Sequence, residues 1–507
     1  MASLLGRYAS KLVGALSCLD RIVITGTIPG WCHAQGMTLY LHSQGIRVFD
    51  YARQFAEPLR EEIRANARRL AAEHALTIEF IRRLHAFRKE DRIQAIVRER
   101  GDHPGLVHIF AAMEVCPAFS PWHDKSTSRT GLRHKETKCL HYYFYFLDEQ
   151  FGLCYLRVPT WAPFRLQFYC NGHAWLANRL RAEGIAFTPL DNTFLQLAHV
   201  ARAQELADTF PVEHLHRALD AFARRFCPVI RHVPDRYHWS LMQVEYATDL
   251  IFRRREDLAP LYETLVRTAV HTVKPEQVAM FLGKKLDGRT AAELGTDFST
   301  RTQGTRIKHY LGWAAIKMYD KHGIVLRIET TINNVSELKH YRTVEHRDGT
   351  SETKYAPMHK TIYSLGPLRD LLRAANGRYL DFLSDLDDPS DGHRKLLGLG
   401  PSRQREGRSF RGFNLFSQDD LAALLALLRG EGCIRGITNR MLRRVLRNKT
   451  SAQVSYFLKR CRVFGLLRKC AKMHRYYLTK LGRRVLLAAR KLQEFLIVPT
   501  LAGQPCA

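Results

Sequence analysis

The sequence predicts an α+β fold, with a mixed α/β body of two regions followed by a separate C-terminal module of helices and a hairpin. Three observations predict it. Runs with the two-residue alternation of strands and runs with helical spacing of leucines are interleaved along the 507 residues. An acidic, turn-rich stretch over 384–392, then Gly, Pro, Ser and Arg over 398–412, reads as a boundary. Beyond it the composition changes: residues 432–493 hold 18 Lys and Arg and no Asp or Glu. The expected segments are an N-terminal α+β domain (1–235), a central α+β domain (236–385), a linker (386–412) and the module (413–498).

Composition bounds the class. With 46% apolar and 10% aromatic residues the chain is not disordered, and 32 Gly and 19 Pro are too few for a collagen-like or low-complexity protein. No run of 18 apolar residues occurs, so no membrane-spanning helix is expected. Residues 1–18 lack an apolar core with a cleavage site, so no secretory signal is expected. Eleven irregularly spaced cysteines without a CxxC pair suit the reduced thiols of a cytoplasmic protein. Zinc would need Cys139 and His141 to converge with Cys170 and His173; buried strand cysteines are the simpler reading. The net charge of +29 suggests a polyanionic partner, and the 62 residues of 432–493 carry +18 of it. That concentration favours a nucleic acid, nucleoid-associated, over a membrane surface.

In the N-terminal region, residues 20–28 read as a buried strand and Met37 begins a helix. No Gly-Lys-Ser/Thr follows, which excludes a P-loop. Residues 56–75 form a charged helix. Strands follow at 105–110, 139–147, 153–158 and 164–170, then a helix at 173–183, which makes a meander backed by a helix. The aromatic run 142–146 is expected in the core, with stacking on single-stranded bases as the alternative. Asp20, Glu114, Asp148 and Asp191 lie near strand ends; a two-metal nuclease would need such carboxylates to converge.

In the central region, 238–254 reads as a helix with Glu245 and Asp249 on one face, followed by helices at 258–270 and 275–282. Strands are expected at 305–309, 315–319 and 324–331, with a turn at 320–323. The resulting hairpin brings Lys317, Tyr319, Arg327 and Glu329 near one another, and Lys317 and Glu329 suit a cross-strand ion pair. Arg306, Lys308 and Lys317 give it a cationic face able to clamp DNA. Gly304-Thr305, Gly312, Tyr319-Asp320-Lys321 and Arg327-Ile328-Glu329 resemble the core of plasmid and phage rolling-circle replication initiators. The resemblance implies strand nicking or transfer with Mg²⁺ or Mn²⁺ as cofactor, Glu329 and then Asp320 as metal ligands, and a tyrosine that attacks a phosphodiester. Spacing selects none of Tyr310, Tyr341, Tyr355 and Tyr363 as that nucleophile, and a His-hydrophobic-His motif is absent.

In the module, Ser417 is placed to cap a helix over 418–429, Thr438 one over 439–447, and Thr450 or Ser451 one running to Phe464, which Gly465 ends. Short strands at 466–470 and 474–478 and a helix over 481–496 complete the order of a winged helix-turn-helix. The segment resembles the MarR-type winged helix, through Val454-Ser455, Leu458, Gly465-Leu466, Tyr477-Leu478-Thr479 and Gly482. Independently of that, a helix docked in the major groove would present Ser451, Gln453, Ser455, Tyr456, Lys459, Arg460 and Arg462, and the wing would present Arg468, Lys469, Lys472 and Arg475 to phosphates. The expected function is DNA binding on a mobile or plasmid-like element, for replication initiation or strand nicking. The alternatives are a non-enzymatic MarR-like transcription regulator and an RNA-binding protein.

Overall fold

A computed structural model describes residues 4–82, 87–233, 236–283, 294–301, 304–385, 398–415, 417–428, 436–470 and 474–491. Lys472 with the hairpin tip, residues 386–397 of the linker, 429–435 and everything after 491 lie outside the described residues. The fold is α+β. The chain divides into two compact units, Leu16–Ala247 with Thr331–Asp370, and Met1–Ala15 with Thr248–Thr330 and Leu371–Ala507. Neither is a continuous stretch of chain.

The first unit is built on β1 (Leu12–Thr27), β2 (Ile78–Ile81), β3 (Gly105–Asp124), β4 (Arg129–Asp148), β5 (Gly152–Pro159) and β6 (Leu166–Asn171). A short hairpin of β7 (Phe187–Pro189) and β8 (Phe194–Leu197) and the long strand β9 (His238–Phe252) follow. The sheet order is β9-β1-β6-β5-β4-β3-β2. β3 and β4 pair antiparallel from Gly105↔Leu147 to Asp124↔Arg129, far beyond the strands read from sequence. Residues 142–146 are all buried, so these rings are core and offer no platform for bases. Phe144 and Phe146 stack on Phe226 from one face, at 4.8 and 5.2 Å. Tyr143 and Tyr145 pack with Ile93, Phe110 and Tyr155 on the other.

Residues 238–254, expected as a helix, form β9 instead. Up to Glu245 the strand alternates between covered and open positions, but from Tyr246 to Phe252 every residue is buried. A strand covered on both faces loses its two-residue period, and an apolar run without period is indistinguishable from a buried helix in sequence.

In the second unit β10 (Leu294–Arg301), β11 (Gly304–Leu311), β12 (Ala314–Lys321) and β13 (Val325–Ile332) lie in the order β10-β11-β12-β13. The strands and turn expected around 305–331 are present, as are helices at Arg255–Thr272 and Pro275–Leu282. Arg327 is fully buried against Asp249, with Nε to Oδ1 and Nη2 to Oδ2 both at 2.6 Å. Beside it Asn376 donates to Thr248 Oγ1 and to the Ile328 carbonyl and accepts from Thr330 Oγ1, so these buried polar groups satisfy one another.

The C-terminal module runs Gln418–Ala426, Asn439–Val445 and Ser451–Val463, then a hairpin of Leu467–Lys469 with Tyr476–Leu478, then the helix Lys480–Lys491. Thr438 caps the second helix by accepting from Met441 N, and Thr450 forms a capping box with Gln453 on the third. Ser417 occupies the N-cap position of the first helix without a capping bond. Gly465 ends the third helix with φ +71°, a conformation only glycine adopts without strain. A Cβ on Gly482 would stand 2.0 Å from the Leu466 carbonyl, so the last helix approaches the hairpin closely only because glycine is there. Ile437 exchanges backbone hydrogen bonds with Tyr476, which ties the start of the second helix to the hairpin. Leu424, Leu442, Val454, Leu458, Cys461, Leu466 and Leu486 form the buried interior.

Candidate functional site

The strongest concentration of one charge lies on this module. On the helix Asn439–Val445 and the turn after it, Arg440, Arg443, Arg444 and Arg447 are exposed. The site reading from sequence left these four out, although their near-helical spacing signals one outward face. On the helix Ser451–Val463, Ser451, Gln453, Ser455 and Tyr456 are exposed, while Lys459 and Arg462 are half-buried. Asn439 Nδ2 donates to the Ser451 carbonyl and to Ser455 Oγ, both at 2.8 Å, so Ser455 helps lock the two helices at a fixed angle. Tyr456 stacks on Phe410 at 5.8 Å, and Lys459 lies 3.6 Å from Glu406. Arg468, Lys469 and Arg475 are exposed on the hairpin.

Arg460 departs from its expected outward position. Its side chain is buried and grips Asp420 through Nη1–Oδ1 at 2.8 Å and Nη2–Oδ2 at 2.9 Å. Its remaining donors reach the carbonyls of Arg411 and Gly412, and its guanidinium lies 3.9 Å from the Phe413 ring centroid. This arginine holds the helix to the chain before it and does not face a ligand.

In the second unit, Glu329 accepts from Lys317 Nζ at 2.5 Å and from Tyr319 OH at 2.6 Å. Arg327 turns instead to Asp249. The cross-strand pair is therefore present, and both carboxylate oxygens of Glu329 carry hydrogen bonds. Asp320 is the next residue of β12 after Tyr319 and by the period of a strand faces the opposite side from Glu329's partners. Lys308 stands directly opposite Lys317, and Arg306 opposite Tyr319. Two like charges face to face repel unless an anion lies between them. Glu329→Ala is expected to strand the Lys317 and Tyr319 donors and lower stability by about 1–3 kcal/mol, read as a shift of the urea midpoint. An unchanged midpoint would deny the pair that role.

In the first unit, Asp20 is buried in β1 and accepts from Asn171 Nδ2 at 2.8 Å and from Asn192 Nδ2 at 2.7 Å, with His173 Nδ1 at 3.3 Å. Its carboxylate and that of Glu245 come within 4.8 Å of each other, and Thr331 Oγ1 donates to Glu245 at 3.1 Å. Glu114 is committed elsewhere, to Tyr143 OH at 2.5 Å and Arg157 at 2.6 Å. Burial opposes ionisation of Glu114, but these hydrogen bonds and the Arg157 charge outweigh it and hold the carboxyl below its usual range. Asp148 closes the turn after β4 by accepting from the amides of Gln150 and Phe151. Among the described residues Glu114, Asp148 and Asp191 do not join Asp20 in a group of potential metal ligands.

The described cysteines are free thiols, as expected. The pairing weighed for zinc is not formed: Cys139 lies 2.9 Å from Cys116 and 3.7 Å from His141, whereas His173 belongs to Asp20. The hydrogen bond between Cys116 and Cys139 lowers the Cys116 thiol against the opposing effect of burial, and the Arg157 charge adds to it. Burial, with the Arg157 charge, pushes His141 down to about 4, so it is neutral near pH 7. Among the described residues no helix is long and apolar enough to cross a membrane. No protein-family model matches the sequence, and neither the curated proteins nor the solved structures contain a match.

Proposed function

We propose that the chain is a DNA-binding protein whose C-terminal module acts as a winged helix-turn-helix. The observation that carries this is the run of exposed cations along one helix, the turn after it and a hairpin, Arg440, Arg443, Arg444 and Arg447 with Arg468 and Lys469. A polyphosphate releases counterions when such a surface binds, which makes affinity fall steeply with salt. Ser451–Val463 would be the reading helix, with Gln453 suited to adenine and Arg462 to guanine. The preceding helix would cross the phosphate backbone.

The test measures fluorescence anisotropy of the full chain on duplexes of its source DNA across a salt series. Lys459→Ala/Arg462→Ala/Arg468→Ala is expected to lose site-specific binding and to flatten the salt slope by about 2–3. Unchanged affinity and slope would remove the assignment, and tighter binding to RNA of the same sequence would move it to RNA.

A catalytic reading rests on Asp20 and Glu245. Two carboxylates within 4.8 Å repel unless a cation or proton intervenes. These are the residues that would hold Mg²⁺ or Mn²⁺, which would polarise a phosphodiester. Under this reading the protein nicks or transfers a DNA strand, as in replication initiation. Supercoiled source DNA with either metal should yield nicked circles, and Asp20→Asn should abolish them while duplex affinity persists. Absence of any nick with either ion leaves the regulator reading in place.

A further inference from the structure

The first unit contains a cavity of about 220 Å³ on the face of its sheet, lined from β1, β3, β4, β5, β6, β9 and the β5–β6 connection. Its polar lining consists of Thr25, His141, Arg157, Arg165 and Gln167 with the Cys116 thiol, and no Asp or Glu takes part. Arg157 is oriented by Glu114 at 2.6 Å and by Gln167 Oε1 at 3.3 Å, yet its Nε is buried without a hydrogen-bond partner. The Arg157 side chain nevertheless keeps 20% of its surface exposed, and each Nη carries two N–H groups, so the oriented guanidinium has donors to give beyond those two partners. Arg165 is exposed and has no ion pair among the described residues. Because Gln167 spends its carbonyl oxygen on Arg157, its NH₂ is left as a donor. Glu114 balances one guanidinium, so a net positive charge remains at the wall.

The rest of the lining is apolar and flat. Trp161, three prolines and Met242 form it, and Met242 and Val115 are 50% and 53% exposed on strands whose other residues are largely covered. An inorganic anion needs no such surface. A ligand with a phosphate at one end and a planar ring at the other uses both halves, the phosphate meeting the guanidinium fork and the ring meeting tryptophan.

We propose that this cavity binds a nucleotide, with the phosphate between Arg157 and Arg165 and the base against Trp161 and Met242. The site does not depend on the reading of the C-terminal module. The same nucleotide chemistry could arrive as a free mononucleotide or as the phosphorylated end of a single strand.

Calorimetry on the full chain with dTMP, thymidine and 5′-phosphorylated dT₆ tests it. The phosphate should make dTMP bind at least about tenfold more tightly than thymidine, and Arg165→Gln should remove that advantage without changing the circular dichroism spectrum. Trp161→Leu should weaken dTMP and thymidine alike. If dT₆ displaces dTMP from the native protein but not from R165Q, the site takes strand ends; if only dTMP binds, it takes free nucleotides. No saturable binding of either phosphorylated probe, or binding that R165Q leaves unchanged, would overturn the proposal. Loss of duplex binding in the Lys459/Arg462/Arg468 variant with dTMP binding retained would bear on the module alone.

Discussion

Arg460→Ala is expected to destabilise the C-terminal module by about 3–5 kcal/mol, more than any of its exposed cations would. Arg460 and Asp420 are 3% and 5% exposed. Their pairing is bidentate, and the arginine also satisfies the carbonyls of Arg411 and Gly412. Truncation leaves a buried carboxylate whose remaining partners are the Asn414 amide at 3.1 Å and Arg411 at 3.4 Å. It also removes the cation above the Phe413 ring. The double replacement Arg460→Met/Asp420→Leu should recover much of the loss, because the penalty lies in the orphaned charge. Burial alone would raise the Asp420 carboxyl, but the Arg460 hydrogen bonds, the Asn414 amide and the charges of Arg460 and Arg411 together hold it below 3.8. A depressed carboxyl contributes stability above its unfolded value and loses it only as pH falls through the lower folded value, so this pair should survive to about pH 4. Proteolysis of the module with trypsin, alongside urea unfolding, reads the effect. R460A should lose fold and duplex affinity together, whereas the Lys459/Arg462/Arg468 variant should lose affinity alone. An R460A protein with unchanged unfolding would contradict the role given to the buried pair.

The misplacement of Arg460 shows where sequence reasoning stops. Its helix was legible from the Thr450 cap, the apolar stripe of Val454, Leu458 and Cys461, and Gly465, all of which act within a few residues. The direction of an arginine on that helix depends on a carboxylate 40 residues earlier, and no local period reports such a partner. The same limit explains β9: its end is buried on both sides, so the tertiary environment erased the alternation by which strands are recognised. The hairpin of β12 and β13 was legible because a short turn fixes its register, which put Lys317 and Tyr319 on Glu329 as expected. The proximity of Asp20 to Glu245 was not, since 225 residues separate them and register between distant strands is set by packing. The lining of the nucleotide cavity was hidden for the same reason: it draws single residues from many strands, each unremarkable alone.

Acidification from pH 6.5 to 4.5 should destabilise both units before any carboxylate pair is lost. His309 is completely buried between Thr296, whose hydroxyl lies 2.9 Å from Nδ1, and Tyr379, whose hydroxyl lies 3.1 Å from Nε2; burial pushes it down to about 4. His141, also buried, sits at about 4 in the first unit: burial and the charges of Arg157 and Lys89 disfavour its cation, and Glu114 and the Cys139 carbonyl offset this only in part. In the unfolded chain each ring takes up a proton near 6.5, so the unfolded state binds more protons and stability falls as pH drops from 6.5 toward the folded value. A depression from 6.5 to about 4, at about 1.4 kcal/mol per pH unit, amounts to about 3–4 kcal/mol for each histidine. His108 is shifted in the same direction and adds to the slope. Glu114 and Asp420 are held below their usual ranges and act only at lower pH, so they leave this window to the histidines. Urea midpoints at pH 7, 5.5 and 4.5 should therefore fall steadily in the native protein, and His309→Gln should flatten part of that fall while keeping the bonds to Thr296 and Tyr379 within reach. A midpoint that stays constant to pH 4.5 would mean that neither ring is held neutral by its surroundings.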